Sequence, residues 1–160
     1  MRTLLSVLFV VLVTFPATGM GQDFNLEKAA NTLPLIPPVV AKAINGEEPS
    51  EARECEYVGK RISLSGKKPN KDWFAVSRNA CDWAAGAAVG WIIRSTDSGY
   101  VVVLSLATTS IGLSQHKTKG LRDIYTVRIA ERGVSKGTYK FDGVEYVEVT
   151  PKTAGEKKIR

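Results

Sequence analysis

From Arg61 onward the apolar residues of this chain come in short runs, each closed by residues that favour turns. The runs are Arg61–Ser65, Asp72–Ser77, Trp91–Arg94, Tyr100–Leu106, Thr108–Ser114 and Ile124–Ala130. Between them stand Gly66-Lys67-Lys68-Pro69-Asn70, Asp97-Ser98-Gly99, Lys117–Gly120 and Glu131-Arg132-Gly133. Short alternating or β-branched segments bounded by Gly, Pro, Asn and Asp read as strands and hairpins. The expectation is a mainly β fold of the α+β kind. It would be an antiparallel sheet, or a small sandwich or barrel, of about seven to eight strands with a short helical arm at its N-terminal end. Tyr100–Leu106 (YVVVLSL) is continuous enough to suggest a central strand covered on both faces. In Ile124–Ala130 the alternation puts Tyr125, Val127 and Ile129 on one face and Thr126 and Arg128 on the other. Asp142-Gly143 predicts a two-residue type I′ turn. That turn would set Phe141 opposite Val144, Lys140 opposite Glu145 and Tyr139 opposite Tyr146.

The first residues have a different character. Met1-Arg2 is a short basic start, Leu4–Phe15 is an apolar run, and Pro16, Ala17, Gly19 and Gly21 follow. This order is that of a secretory signal peptide, cleaved after Gly21 or after Gly19. The apolar run is shorter than the about 20 residues a spanning helix needs. An uncleaved anchor is the alternative. A lipoprotein is disfavoured, because the first cysteine is Cys55. In the following region Asn25 can cap a helix through Leu26, Ala29, Ala30 and Leu33, with Glu27 in its first turn. After Pro37-Pro38, Val39, Val40, Ala43 and Ile44 fall at helical spacing, and Asn45-Gly46 is a stop. The apolar stripe reads either as an arm lying on a sheet or as a partner-binding arm, and its burial is the commoner use. The expected divisions are a signal peptide at 1–21, a helical arm and linker at 22–50, a β-rich domain at 51–150 and a flexible basic tail at 151–160.

Export sets the chemistry to be looked for. Two cysteines, Cys55 and Cys81, in an exported chain imply one disulfide. Their spacing is far too long for a redox CxxC pair, and His116, the single histidine, is too little to complete a metal site with them. No metal and no cofactor is expected. The formal net charge of +6, reduced by one when Arg2 is removed, favours anionic surfaces or acidic proteins over neutral partners. The bases are spread out, and nucleic acid is not an expected partner.

No GxSxG, HExxH, P-loop or GxGxxG motif is present. His116 sits in the polar stretch Ser114-Gln115-His116-Lys117 and reads as an exposed loop histidine. Asp72, Asp82, Asp97, Asp123 and Asp142 all fall near turns or strand ends, where Asp is common for turn reasons alone. Trp73, Trp83 and Trp91 can serve as an aromatic platform for a sugar or as core, and large aromatics are more often core. Lys60, Arg61, Lys67, Lys68 and Lys71 flank one predicted hairpin and can form a positive lobe. The candidate binding surface is therefore Trp73 and Trp83 with Lys67, Lys68 and Lys71.

Asp72–Val147 resembles small exported proteins of bacteria. The matching pieces are DWFAVSRNACDW (Asp72–Trp83), Gly99-Tyr100, KGLRDI (Lys119–Ile124) and KFDGVEY (Lys140–Tyr146). The resemblance implies export and a β-rich fold, and carries over no catalytic residue. The expected function is that of an exported, non-catalytic binding protein of the bacterial cell envelope, periplasmic or secreted. Its partner would be an envelope protein, with an inhibitor of or immunity factor against a cell-wall enzyme as the leading form. A binder of an anionic glycan or lipid surface is the alternative, and an enzyme with carboxylate chemistry the third reading. A Cys55–Cys81 bridge closes a loop of about 25 residues, so reducing it should lower stability by about 3 kcal/mol, measured as a shift in urea midpoint with and without reductant.

Overall fold

The computed structural model describes residues 21–46, 55–78, 87–130 and 133–149. The expected signal peptide, the acidic connection at 47–54, the segment 79–86 and the tail beyond residue 149 lie outside the described residues.

The chain begins with a strand that alternation did not reveal, β1 (Gln22–Asn25), and passes straight into α1 (Leu26–Thr32). Asn25 ends the one and caps the other: its side chain accepts a hydrogen bond from the Lys28 N–H at 2.9 Å. α2 (Pro38–Asn45) opens on Pro38, whose missing N–H is no loss at a helix start, and stops at Gly46 with φ 75°. Among the described residues the remaining elements are strands: β2 (Tyr57–Ile62), β3 (Asp72–Ser77), β4 (Val89–Thr96), β5 (Gly99–Ala107), β6 (Ser110–Thr118), β7 (Leu121–Ala130), β8 (Gly133–Phe141) and β9 (Tyr146–Glu148). All the pairings are antiparallel. They form two open sheets, β1-β6-β7-β8-β9 and β2-β3-β4-β5, and neither closes into a barrel.

The two sheets share a core of Phe24, Leu26, Phe74, Val76, Ile92, Ile111, Leu113, Ile124, Phe141 and Tyr146, among others. Phe24 of one sheet stacks on Phe74 of the other at 4.3 Å between centroids. A second core lies on the far side of the four-stranded sheet, where α2 packs on β4 and β5. It holds Ile36, Val40, Tyr57, Trp73, Ala75, Trp91 and Ile93. The layers are therefore helix, sheet, sheet; Leu26, Ala29, Ala30 and Val40 of the N-terminal arm are core, while Val39 is exposed.

Two expectations about the strands are corrected, the central place of Tyr100–Leu106 and the register of the last hairpin. The run Tyr100–Leu106 belongs to β5, which pairs with β4 alone and is an edge of its sheet; Val101 is exposed. β3 and β4 are the central strands and alternate between the two cores; β5, though an edge, also meets both, with Val103 and Leu104 in the inter-sheet core and Tyr100 and Val102 packed against the second. The β5 run is continuous for a further reason. Ile92 faces Leu104 but Ile93 faces Val102, so a bulge puts Val103 in excess and both Val103 and Leu104 reach the inter-sheet core. In β7 Tyr125, Val127 and Ile129 share a face as the alternation predicts, and within Ile124–Ile129 the buried residues are Ile124 and Thr126 on the opposite one.

The last hairpin shifts its register. Phe141 pairs with Tyr146, Lys140 with Val147 and Tyr139 with Glu148. Asp142 explains this, because its Oδ1 accepts the N–H groups of both Val144 and Glu145, at 2.8 and 2.9 Å, in an Asx-type turn longer than the two-residue form. The same two amides hold the Asp142 carboxyl below the usual carboxylate range. The longer loop leaves Val144 in solvent and brings Phe141 and Tyr146 together in the core, their rings 5.5 Å apart.

Phe74 is fully buried on a central strand and stacked across the sheets. Replacing it with Ala should cost about 3–5 kcal/mol, read from urea denaturation, with no change in the disulfide state of the protein.

Candidate functional site

The residues expected to bind together do not stay together. Trp73 is core: it is 7% exposed, packs beside Tyr57 and Trp91, and carries the Arg61 guanidinium 5.3 Å from its ring centroid. Position 73 alternates with Phe74 across a sheet covered on both faces, so neither aromatic has to face solvent. Trp83 and Cys81 lie outside the described residues. Cys55 is disulfide-bonded, and Cys81 is the only other cysteine of the chain. Lys67, Lys68 and Lys71 are exposed on the β2–β3 connection, as are Lys60 and Arg61 at the end of β2. Trp91 is core with Trp73.

The three lysines acquire neighbours that are remote in sequence. The turn of the β6–β7 hairpin, Lys119-Gly120, has positive φ at both residues (49° and 83°), and the hairpin behind it reaches the β2–β3 connection. The Arg122 N–H donates to Leu64 O at 2.7 Å, and Lys117 Nζ donates to Ser65 O at 2.6 Å. Asp72 secures the other side of the connection, accepting from the Leu64 N–H at 2.9 Å and from the Ser95 N–H at 3.1 Å. Tyr146 OH donates to Arg122 O at 2.8 Å; burial first, and then the charges of Asp72 and Asp123, push its phenol well up. One corner of the sandwich thus carries Lys67, Lys68, Lys71, Lys117 and Arg122.

His116 lies on strand β6, not in a loop. Its Nδ1 meets Asp123 Oδ2 at 2.8 Å; the imidazole is 72% exposed and the carboxylate 6%. The pair bridges β6 and β7 within the stretch, between Leu113 and Lys117, where the ladder slips register. Asp123 Oδ1 is buried with no hydrogen-bond partner. No hydroxyl or thiol is bonded to His116 Nε2 among the described residues, so the contact reads as a tie between strands. No sequence motif marks this pair, because a hairpin and not a fixed spacing brings the two residues together.

A second surface was not anticipated. The outer face of the five-stranded sheet carries no helix among the described residues. Across β7 and β8 it presents Ile129 opposite Val134, Val127 opposite Lys136, and Tyr125 opposite Thr138; Lys140 on β8 faces Val147 on β9. Ile129 and Val134 are 63% and 62% exposed, and Val147 and Val149 are exposed as well. The face is held flat at its other side by a strap. Tyr125 crosses β6 over Gly112 and its hydroxyl donates to Asp23 Oδ1. A Cβ at Gly112 would collide with the Tyr125 ring and with the Asp23 carboxylate, so this crossing requires glycine. Partial burial, then the hydrogen bond and charge of Asp23, push the Tyr125 phenol up to about 12. The sequence signal for this face was the Tyr125-Val127-Ile129 alternation itself, read without knowing which side of the sheet met the core.

Among the described residues no group of three or more His, Cys, Asp and Glu is placed to hold a metal ion, and no helix is long and apolar enough to cross a membrane. Comparison with protein-family models, with curated proteins and with solved structures gives no match.

His116→Ala should destabilise the protein by about 1–2 kcal/mol, since it leaves a buried carboxylate unpaired. Adding Asp123→Asn should recover most of that loss. A cycle of urea titrations measures it, and equal losses in single and double variants would remove the coupling.

Proposed function

We propose that this chain is an exported, non-catalytic binding protein of the bacterial cell envelope that holds a protein partner on the outer face of its five-stranded sheet. An inhibitor of, or immunity factor against, a cell-wall enzyme is the form of binder this reading favours. The observation that carries it is the asymmetry between the sheets. The four-stranded sheet is covered on both faces, while the five-stranded sheet leaves Val127, Ile129, Val134, Val147 and Val149 on a face with no cover among the described residues. A contiguous exposed apolar patch on a small domain supports an interaction surface. Lys136 and Lys140 stand among these side chains. They suit a partner whose own apolar patch is bordered by carboxylates, and the net positive charge of the chain would speed its approach. The signal-like N-terminus, the disulfide-bonded Cys55 and the resemblance to small exported bacterial proteins support the compartment.

Capture from an envelope extract, with the oxidised protein and with an Ile129→Asp/Val134→Asp variant as baits, tests the reading. The expected result is one stoichiometric protein that survives a high-salt wash on the first bait and is reduced at least about tenfold on the second, as loss of a buried apolar contact implies. Retention of glycan or lipid alone, lost at high salt and equal on both baits, would overturn it in favour of an anionic-surface binder.

A further inference from the structure

Lys117 and Arg122 are direct cross-strand partners in the β6–β7 hairpin. Like charges set opposite one another weaken a hairpin unless something lies between them to offset the repulsion. Both lean over the same point. A Cβ built on Gly66 would stand a crowded 3.1 Å from Lys117 Nζ and 3.2 Å from Arg122 Nε, so the two nitrogens close together over this glycine. Gly66 has φ +71°, which favours glycine there in its own right.

Among the described residues no acidic group forms an ion pair with either cation. The ion pairs among the described residues are Arg78–Glu56 and His116–Asp123. Asp123, next to Arg122 in sequence, gives one oxygen to His116 and leaves the other unpaired, while Asp72 accepts from two backbone amides. Lys117 Nζ donates to Ser65 O and has two further N–H groups. Arg122 Nε is buried without an acceptor. That donor is closed to solvent, so the guanidinium charge goes without a partner on this side, and an anion held by its other N–H groups would offset the charge. Lys67 and Lys68, exposed on the same connection, add positive potential around it.

We propose that the exposed ammonium of Lys117 and the guanidinium of Arg122, held together over Gly66, form a binding site for a phosphate group. Two convergent cations match a dianion, and a guanidinium matches tetrahedral oxyanions in geometry as well as charge. The phosphate is either free or borne as a monoester on a lipid headgroup. The site is remote in the ladder from the Ile129–Val134 face, and its assignment does not rest on what that face binds.

The test is titration of the ¹⁵N-labelled oxidised protein with inorganic phosphate, against sodium chloride at matched ionic strength. The Gly66 and Lys67 amides and the Arg122 Nε–H are expected to shift saturably with phosphate and not with chloride. Lys117→Gln should weaken this by about tenfold or more, and Arg122→Lys, which keeps the charge but loses the fork, should weaken it less than Arg122→Gln. The thermal midpoint gives a second measurement: in chloride Lys117→Gln should melt higher than the unaltered protein, and added phosphate should raise the unaltered protein but not the variant. Absence of a saturable shift, or the same shift in the Lys117→Gln/Arg122→Gln double variant, overturns the site. Sedimentation with phosphatidic acid vesicles against phosphatidylcholine vesicles separates the sources. Retention on the first alone supports a headgroup monoester as ligand, and phosphate binding without retention supports a soluble phosphate.

Discussion

Trp73 and Phe74 are adjacent in sequence and belong to different cores. One packs under α2 and the other against the opposite sheet. The whole molecule depends on this double burial of the four-stranded sheet. α2 has eight residues, too short to hold a helix in water by its own hydrogen bonds. It persists because Ile36 and Val40 find Tyr57, Trp91 and Ile93 beneath them. On the other face, the five-stranded sheet gains its core from Phe74, Val76 and Ile92, with α1 adding Leu26, Ala29 and Ala30. The middle strands must then be apolar at every position, which is why DWFAVS and GWII show no alternation.

The five-stranded sheet answers a different constraint. Its inner face is spent on the shared core, and its outer face has the Gly112–Tyr125–Asp23 strap at one side and bare valine and isoleucine at the other. Small soluble domains rarely leave such a patch without use. The basic corner is separate from it. There, the β2–β3 connection and the β6–β7 hairpin, each polar in sequence, are pinned together by hydrogen bonds from the Arg122 N–H to Leu64 O and from Lys117 Nζ to Ser65 O. The pinning confines Lys117 and Arg122 where free lysines and arginines would move apart. Charge that is merely plentiful in the composition becomes local at that corner, and only local charge can select a ligand.

Local chemistry was readable without the fold. Asn25 as a cap, Gly46 as a stop, and the turns at Asp97-Ser98 and Lys119-Gly120 all depend on residues within a few positions of one another. Their backbone preferences act before any tertiary contact forms. The β-rich class followed from the same source. What escaped was each property set by an absent neighbour. β5 has the composition of a central strand and lies at an edge. Tyr125, Val127 and Ile129 have the spacing of a core face and look outward. The final hairpin takes its register from the Asp142 carboxylate and from the pairing of Phe141 with Tyr146 in the core, against the two-residue turn that Asp142-Gly143 suggests.

The sequence by itself determined where helices begin and end, where the chain turns, and that short antiparallel strands make up the rest, because steric and hydrogen-bonding preferences of that kind reach only a turn or so along the chain. The tertiary structure decided which face of each strand is buried, which strand is an edge, that Trp73 is core, that His116 meets Asp123, and that Lys117 and Arg122 converge over Gly66. Those are facts about pairs of segments brought together by burial of apolar surface, a force without direction along the chain, and no single segment contains them.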